Sequence, residues 1–159
     1  MVFQNLDGRG ELRDVARATG ADGLADGRGV AIADFDGDGR QDVVVANNNA
    51  APYLYLNRTA AGESLVVELE GRTSPRDPVG ARLRLELARR DGSRQVLTRW
   101  VEAGSGYSAQ SSFDVHFGLG HGAKPVGLEV RWPSGLVERV PGSKLAEDRR
   151  VRLLEGDHG

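Results

Sequence analysis

Cysteine is absent from the 159 residues, which excludes disulfides, zinc–thiolate sites and cysteine nucleophiles. Lysine is nearly absent too: Lys124 and Lys144 stand alone against abundant arginine, which reads as coding bias and a bacterial source rather than as function. No basic stripe forms, so no nucleic-acid partner is expected. No apolar run approaches the ~20 residues of a bilayer-crossing helix, and no membrane span is expected. Residues Met1 to Gly8 lack a basic n-region and an apolar h-region and are not expected to be a signal peptide.

What the chain does have is glycine, 22 residues of it, as suits a β-rich protein with many tight turns. Net charge is only −2, but the acidic excess is confined to the first 63 residues. Much of it sits in Asp34-Phe35-Asp36-Gly37-Asp38-Gly39-Arg40-Gln41-Asp42. Aspartates occupy positions one, three, five and nine of this loop, and glycine position six. Alternating carboxylates plus the backbone carbonyl of position seven, Arg40, can supply most of the six to eight oxygens that calcium takes. Without an ion, so many carboxylates in nine residues repel one another. The expected metal ligands are therefore Asp34, Asp36, Asp38, Arg40 and Asp42, and the expected ion is Ca2+.

The loop is not an EF-hand. Position twelve is Val45 rather than a bidentate glutamate. Its flanks, Gly29 to Ala33 and Val43 to Ala46, are short β-branched runs that favour strands over helices. The ion would thus sit in a strand–loop–strand hairpin. A site lacking the twelfth-position glutamate is expected to be weak and to fill where calcium is plentiful. That argues for an extracytoplasmic setting, periplasmic or secreted, and, with no leader in the sequence, for a piece of a longer precursor.

Upstream of the loop, Asp7-Gly8 marks a turn, and Leu12, Val15 and Ala16 are spaced for a helix over 11–19 with Gly20 as its stop. Beyond residue 63 the texture changes to alternating strands. Leu65, Val67 and Leu69 share a face, as do Leu83, Leu85 and Leu87; Val96, Thr98 and Trp100; Phe113, Val115 and Phe117; and Leu128, Val130 and Trp132. Both tryptophans are assigned to the core, and Val151 to Leu154 form a closing strand. The expected fold class is all-β: a partial β-propeller-type blade with its calcium loop over 1–62, then an antiparallel β-sandwich or barrel-like domain over 63–155, with a frayed tail at 156–159.

Residues 29–47 resemble the FG-GAP/VCBS repeat, a calcium-loop blade of β-propellers. Val79 to Leu83, Gly104 to Ser112, His116 to Gly120 and Val130 to Gly135 are similar to the ASPIC/UnbV domain. The order matches the C-terminal end of the cartilage acidic protein family. One metal loop is too few for a propeller, which needs several blades, so missing upstream blades are expected. The resemblance implies no established chemistry. It also leaves open an alternative, since relatives occur in enediyne natural-product gene clusters: part of an enzyme with a propeller-associated active site.

Other candidate sites are weaker. Ser112, Asp114 and His116 share a strand face, but a spacing of two separates neighbours by roughly 7 Å, too far for a hydrogen-bonded relay. No catalytic residue is assigned. The Ser/Gln-rich stretch Ser108 to Ser112 is a candidate recognition surface. The expected function is a calcium-binding β-rich interaction module, with a protein or glycan as partner.

Overall fold

The computed structural model describes residues 2–5, 10–60, 62–104, 106–146 and 149–158. Strands β1 (Phe3–Asn5) and β2 (Leu12–Asp14) form an antiparallel hairpin. The expected Asp7-Gly8 turn lies outside the described residues. The helix is shorter than the spacing suggests: α1 covers only Ala16–Thr19. Pairing with β1 takes Leu12 to Asp14 into a strand, which a marginal helix nucleus cannot resist. Gly20 ends the helix in the left-handed region, as expected, with φ +72°.

Strands β3 (Gly27–Ala33), β4 (Asp42–Asn47) and β5 (Tyr53–Tyr55) make an antiparallel meander. The aspartate loop joins the first two. Cross-strand pairing puts Val30, Ile32, Val43, Val45, Tyr53 and Tyr55 on one face and Ala31, Val44 and Leu54 on the other. Both faces are apolar, and both are partly open: Val30 is 45% exposed and Leu54 54%.

The remaining strands are β6 (Glu63–Glu70), β7 (Arg82–Ala88), β8 (Arg94–Trp100), β9 (Val115–Gly120), β10 (Lys124–Arg131), β11 (Val137–Pro141) and β12 (Arg150–Leu154), with a helical turn α2 (Gly142–Ala146) before the last. They form a sandwich of two sheets, β11-β10-β7-β8 and β12-β6-β9. Alternation of the kind seen in the sequence delivers one continuous core from both sheets: Leu65, Val67, Leu83, Leu85, Leu87, Phe117, Leu128, Val130 and Leu153 among others. The all-β class holds, and no sheet among the described residues closes into a barrel.

Three expectations are corrected. The sandwich is not wholly antiparallel, because β12 runs parallel to β6. It arrives from the opposite sheet through α2, so no hairpin fixes its direction. Trp100 is not a core residue: it is 51% exposed, whereas Trp132 is 2% exposed. The cause is register. Leu85 pairs with Leu97, so the inward face of β8 carries Gln95, Leu97 and Arg99, and a one-residue change of parity turns Val96, Thr98 and Trp100 outward. Nor are residues 156–158 of the tail frayed. The buried Glu138 carboxylate accepts the Gly156 N–H at 3.1 Å and the His158 N–H at 2.6 Å.

Candidate metal loop and its seat on the sandwich

Asp34 directly follows β3 and Asp42 opens β4, so the strand pair, with Ala33 opposite Asp42, brings the ends of the loop together. Gly37 and Gly39 take φ of +75° and +86°, conformations that an L side chain adopts only with strain. Oxygens of Asp34, Asp36 and Asp42 converge to within 4.8 Å of one another. At that spacing each like-charged pair repels by roughly 3 kcal/mol at an effective dielectric of ~20. Backbone donors offset part of this. Asp34 accepts the Asp38 and Gly39 N–H groups, each at 3.0 Å. Asp42 is fully buried and accepts the Phe35 N–H at 2.9 Å and the Asn57 N–H at 2.7 Å.

Of the five expected ligands, the structure thus gathers the carboxylates of Asp34, Asp36 and Asp42. Asp38 turns instead into an ion pair with the Arg40 guanidinium. The Arg40 backbone N–H, and after it the guanidinium charge, hold the Asp38 carboxyl below its ordinary value. Arg58 stands 3.6 Å from Asp36. Two cations therefore rim the cluster and would have to share or yield these carboxylates if an ion entered.

The loop does not project freely. A side chain at Gly39 would place its Cβ 2.7 Å from Ser64 Oγ on β6, so the loop tip sits directly against the sandwich. The Gly39 carbonyl meets His116 Nε2 on β9 at 2.9 Å. A carbonyl can only accept, which fixes the proton on Nε2. The edge of β3 is covered as well. Ile32 donates its N–H to Ser111 Oγ at 3.2 Å, and its carbonyl accepts the Ser112 N–H at 3.3 Å.

These contacts redraw the weaker candidates. Ser112, Asp114 and His116 point to different partners: Asp114 pairs with Arg150 at 2.9 Å, and His116 serves Gly39. They form no relay, as the strand spacing indicates. The Ser108 to Ser112 stretch is less a free recognition surface than an internal strap, since its last two residues are spent on Ile32.

Glu155 was not legible in the sequence. It is 2% exposed and accepts the N–H groups of Arg72, Thr73 and Ser74 and the hydroxyls of Ser74 and Ser134, all within 2.9 Å. Burial raises its carboxyl, but the bonds from Ser134, Ser74 and Arg72 outweigh that and bring it down to about 2. Its partners lie 21 to 83 residues away, so no local signal exists.

Two cavities flank this region. One, of about 220 Å³, is lined by Glu68, Glu70, Arg76, Asp77, Phe113 and Arg152 among others. The other, of about 190 Å³, lies at the junction between Asp38 and Arg40 of the loop and Glu63, Ser64, His121 and Arg149 of the sandwich. Both are smaller than the ~300 Å³ at which ligand pockets ordinarily begin. In the first, Arg152 already pairs with Glu68 and Glu70.

An acidic strand–loop–strand unit seated on a two-sheet sandwich defines a tandem β module of two recognisable parts. An FG-GAP repeat profile matches residues 27–67, and the ASPIC and UnbV profile matches residues 71–159. The second match spans more than half of the chain, which belongs to the ASPIC/UnbV family. The chain is also 43% identical over 63 residues to Cartilage acidic protein 1 from Xenopus tropicalis and from Mus musculus. Those matches cover 39% of this chain and 10% of each relative, so it corresponds to a small part of their length. Among the described residues no helix is long and apolar enough to cross a membrane.

Proposed function

We propose that this chain is a calcium-stabilised interaction module of an extracytoplasmic protein, with a protein or glycan as its partner. The convergence of Asp34, Asp36 and Asp42 within 4.8 Å carries the reading. Three hard carboxylate donors and a flexible glycine-containing loop suit calcium better than softer metals that prefer nitrogen or sulfur. Asp38 and the Arg40 carbonyl are the further oxygens that the spacing offers. Membership of the repeat family supports the same ion, and likeness to the cartilage acidic proteins supports an extracellular setting. The open apolar faces at Val30, Ile32 and Leu54 fit a blade with neighbours on either side, so we also assign it to a longer propeller.

Bound calcium would screen the mutual repulsion of the aspartates, which makes ion binding a source of folding free energy. Thermal unfolding in excess calcium and in EGTA tests this. We expect a rise of several degrees with calcium that disappears in Asp36→Asn/Asp38→Asn. Identical cooperative melts in both conditions for the parent chain would overturn the reading.

A further inference from the structure

We propose that the ASPIC/UnbV sandwich senses the metal loop through a two-point clasp, with His116 as the positioning residue, so that ion binding and docking of the FG-GAP hairpin are thermodynamically linked. The inference rests on the calcium reading above and adds to it a role for the second domain. Gly39 is the pivot. Its N–H is held at 3.0 Å by Asp34, a member of the carboxylate cluster, and its carbonyl at 2.9 Å by His116. One peptide segment therefore joins the metal cluster to strand β9 with a single residue between them. Any shift of the Asp34 carboxylate toward an ion acts on the group that His116 grips.

The second point lies at the other shoulder of the loop. Ile32, two residues before Asp34, has both of its backbone groups engaged by Ser111 and Ser112. A side chain at Gly29 would meet the Tyr107 carbonyl at 3.4 Å and the Ala109 Cβ at 3.5 Å. The 107–112 strap thus lies along β3 where a further strand would pair. Strap and histidine are in turn continuous, because the strap runs through Ser112 and Asp114 directly into β9. Tip and shoulder of the metal loop are both gripped by one stretch of the sandwich. Linkage is reciprocal: a clasp that favours the ion-ready loop raises its affinity for the ion, and the ion tightens the clasp by the same factor.

Calcium titration of the full chain by calorimetry, joined to hydrogen exchange of residues 107–116, tests the proposal. His116→Phe keeps the ring and removes the donor; it should weaken calcium binding about three- to tenfold, the worth of one hydrogen bond. His116→Gln keeps a donor and should restore most of the loss, which a merely space-filling role would not. Ser111→Ala should weaken binding in the same direction, at a half-buried position outside the hydrophobic core. In the parent chain calcium should slow exchange across the strap, and in Asp36→Asn it should not. Parent-like affinity in His116→Phe and Ser111→Ala, with strap exchange indifferent to calcium, would overturn the clasp and leave the calcium site standing. A parent chain that binds no calcium would overturn both.

Discussion

The sandwich and the FG-GAP hairpin are held together by opposite means. The sandwich buries Leu83, Leu85, Leu87 and Phe117 completely and draws on two sheets for one dry core. With β5 the hairpin forms a three-stranded meander that leaves Val30 and Leu54 about half open and whose fully buried side chain is a carboxylate, Asp42. An isolated set of short strands is marginal in water. Apolar burial therefore stabilises the first region on its own. The second depends on what reaches it from outside: backbone donors to aspartates, the seat on β6 and β9, and, in our proposal, an ion.

The largest effects should lie in the sandwich. Phe117→Ala should cost about 3–5 kcal/mol by denaturant unfolding, as expected for truncating a fully buried aromatic. Equal losses for Phe117→Ala and for an alanine at half-open Val30 would erase the contrast between the regions. Glu155 gives the next largest effect. Its folded carboxyl lies at about 2 against an ordinary 4.5, so it contributes stability above about pH 4.5 that is lost as pH falls toward 2. The amount is roughly 3 kcal/mol. Glu155→Gln should cost about 2 kcal/mol at neutral pH by leaving donors imperfectly matched. It should also flatten the acid limb of the stability profile. An unchanged acid limb would show that Glu155 does not govern it.

Chelation should act in the opposite place. With EGTA we expect faster hydrogen exchange across β3, β4 and the strap, with the core strands β7 and β10 unchanged. Uniform loss of protection would mean that the two regions unfold as one unit.

How much of this was legible in advance follows from the range of the interactions. The aspartate loop and the alternation of Leu83, Leu85 and Leu87 are local patterns; the alternation is buried as the sequence indicates, and the loop joins two strands with three of its aspartates, Asp34, Asp36 and Asp42, brought together. The buried carboxylates of Glu155 and Glu138 draw their donors from distant loops, and neither residue differs in its neighbourhood from a solvated one. The strap is a case between the two. Ser108 to Ser112 is marked in the sequence by its Ser/Gln-rich composition, but its contact, the edge of β3, comes from 79 residues away in the case of Ser111 and Ile32. Composition could mark the segment and could not say that its partner lay within the same chain.

The smallest effect is expected where sequence and structure disagree most plainly. Trp100 alternates with polar residues as a core residue would, and apolar bulk alone favours an inward face. Its strand, however, lies at the edge of its sheet, and only one parity can place Leu97 opposite Leu85. Once Leu97 packs inward, Trp100 must face out beside Arg82, its cross-strand partner. Trp100→Ala should therefore change stability by no more than about 0.5 kcal/mol, while Trp132→Ala should cost about 3–5 kcal/mol. Paired denaturant melts measure both. A large loss at Trp100 with an intact sandwich would mean that its exposed ring is covered by a partner surface such as a neighbouring copy. That outcome would become visible as a dependence of the melt on protein concentration.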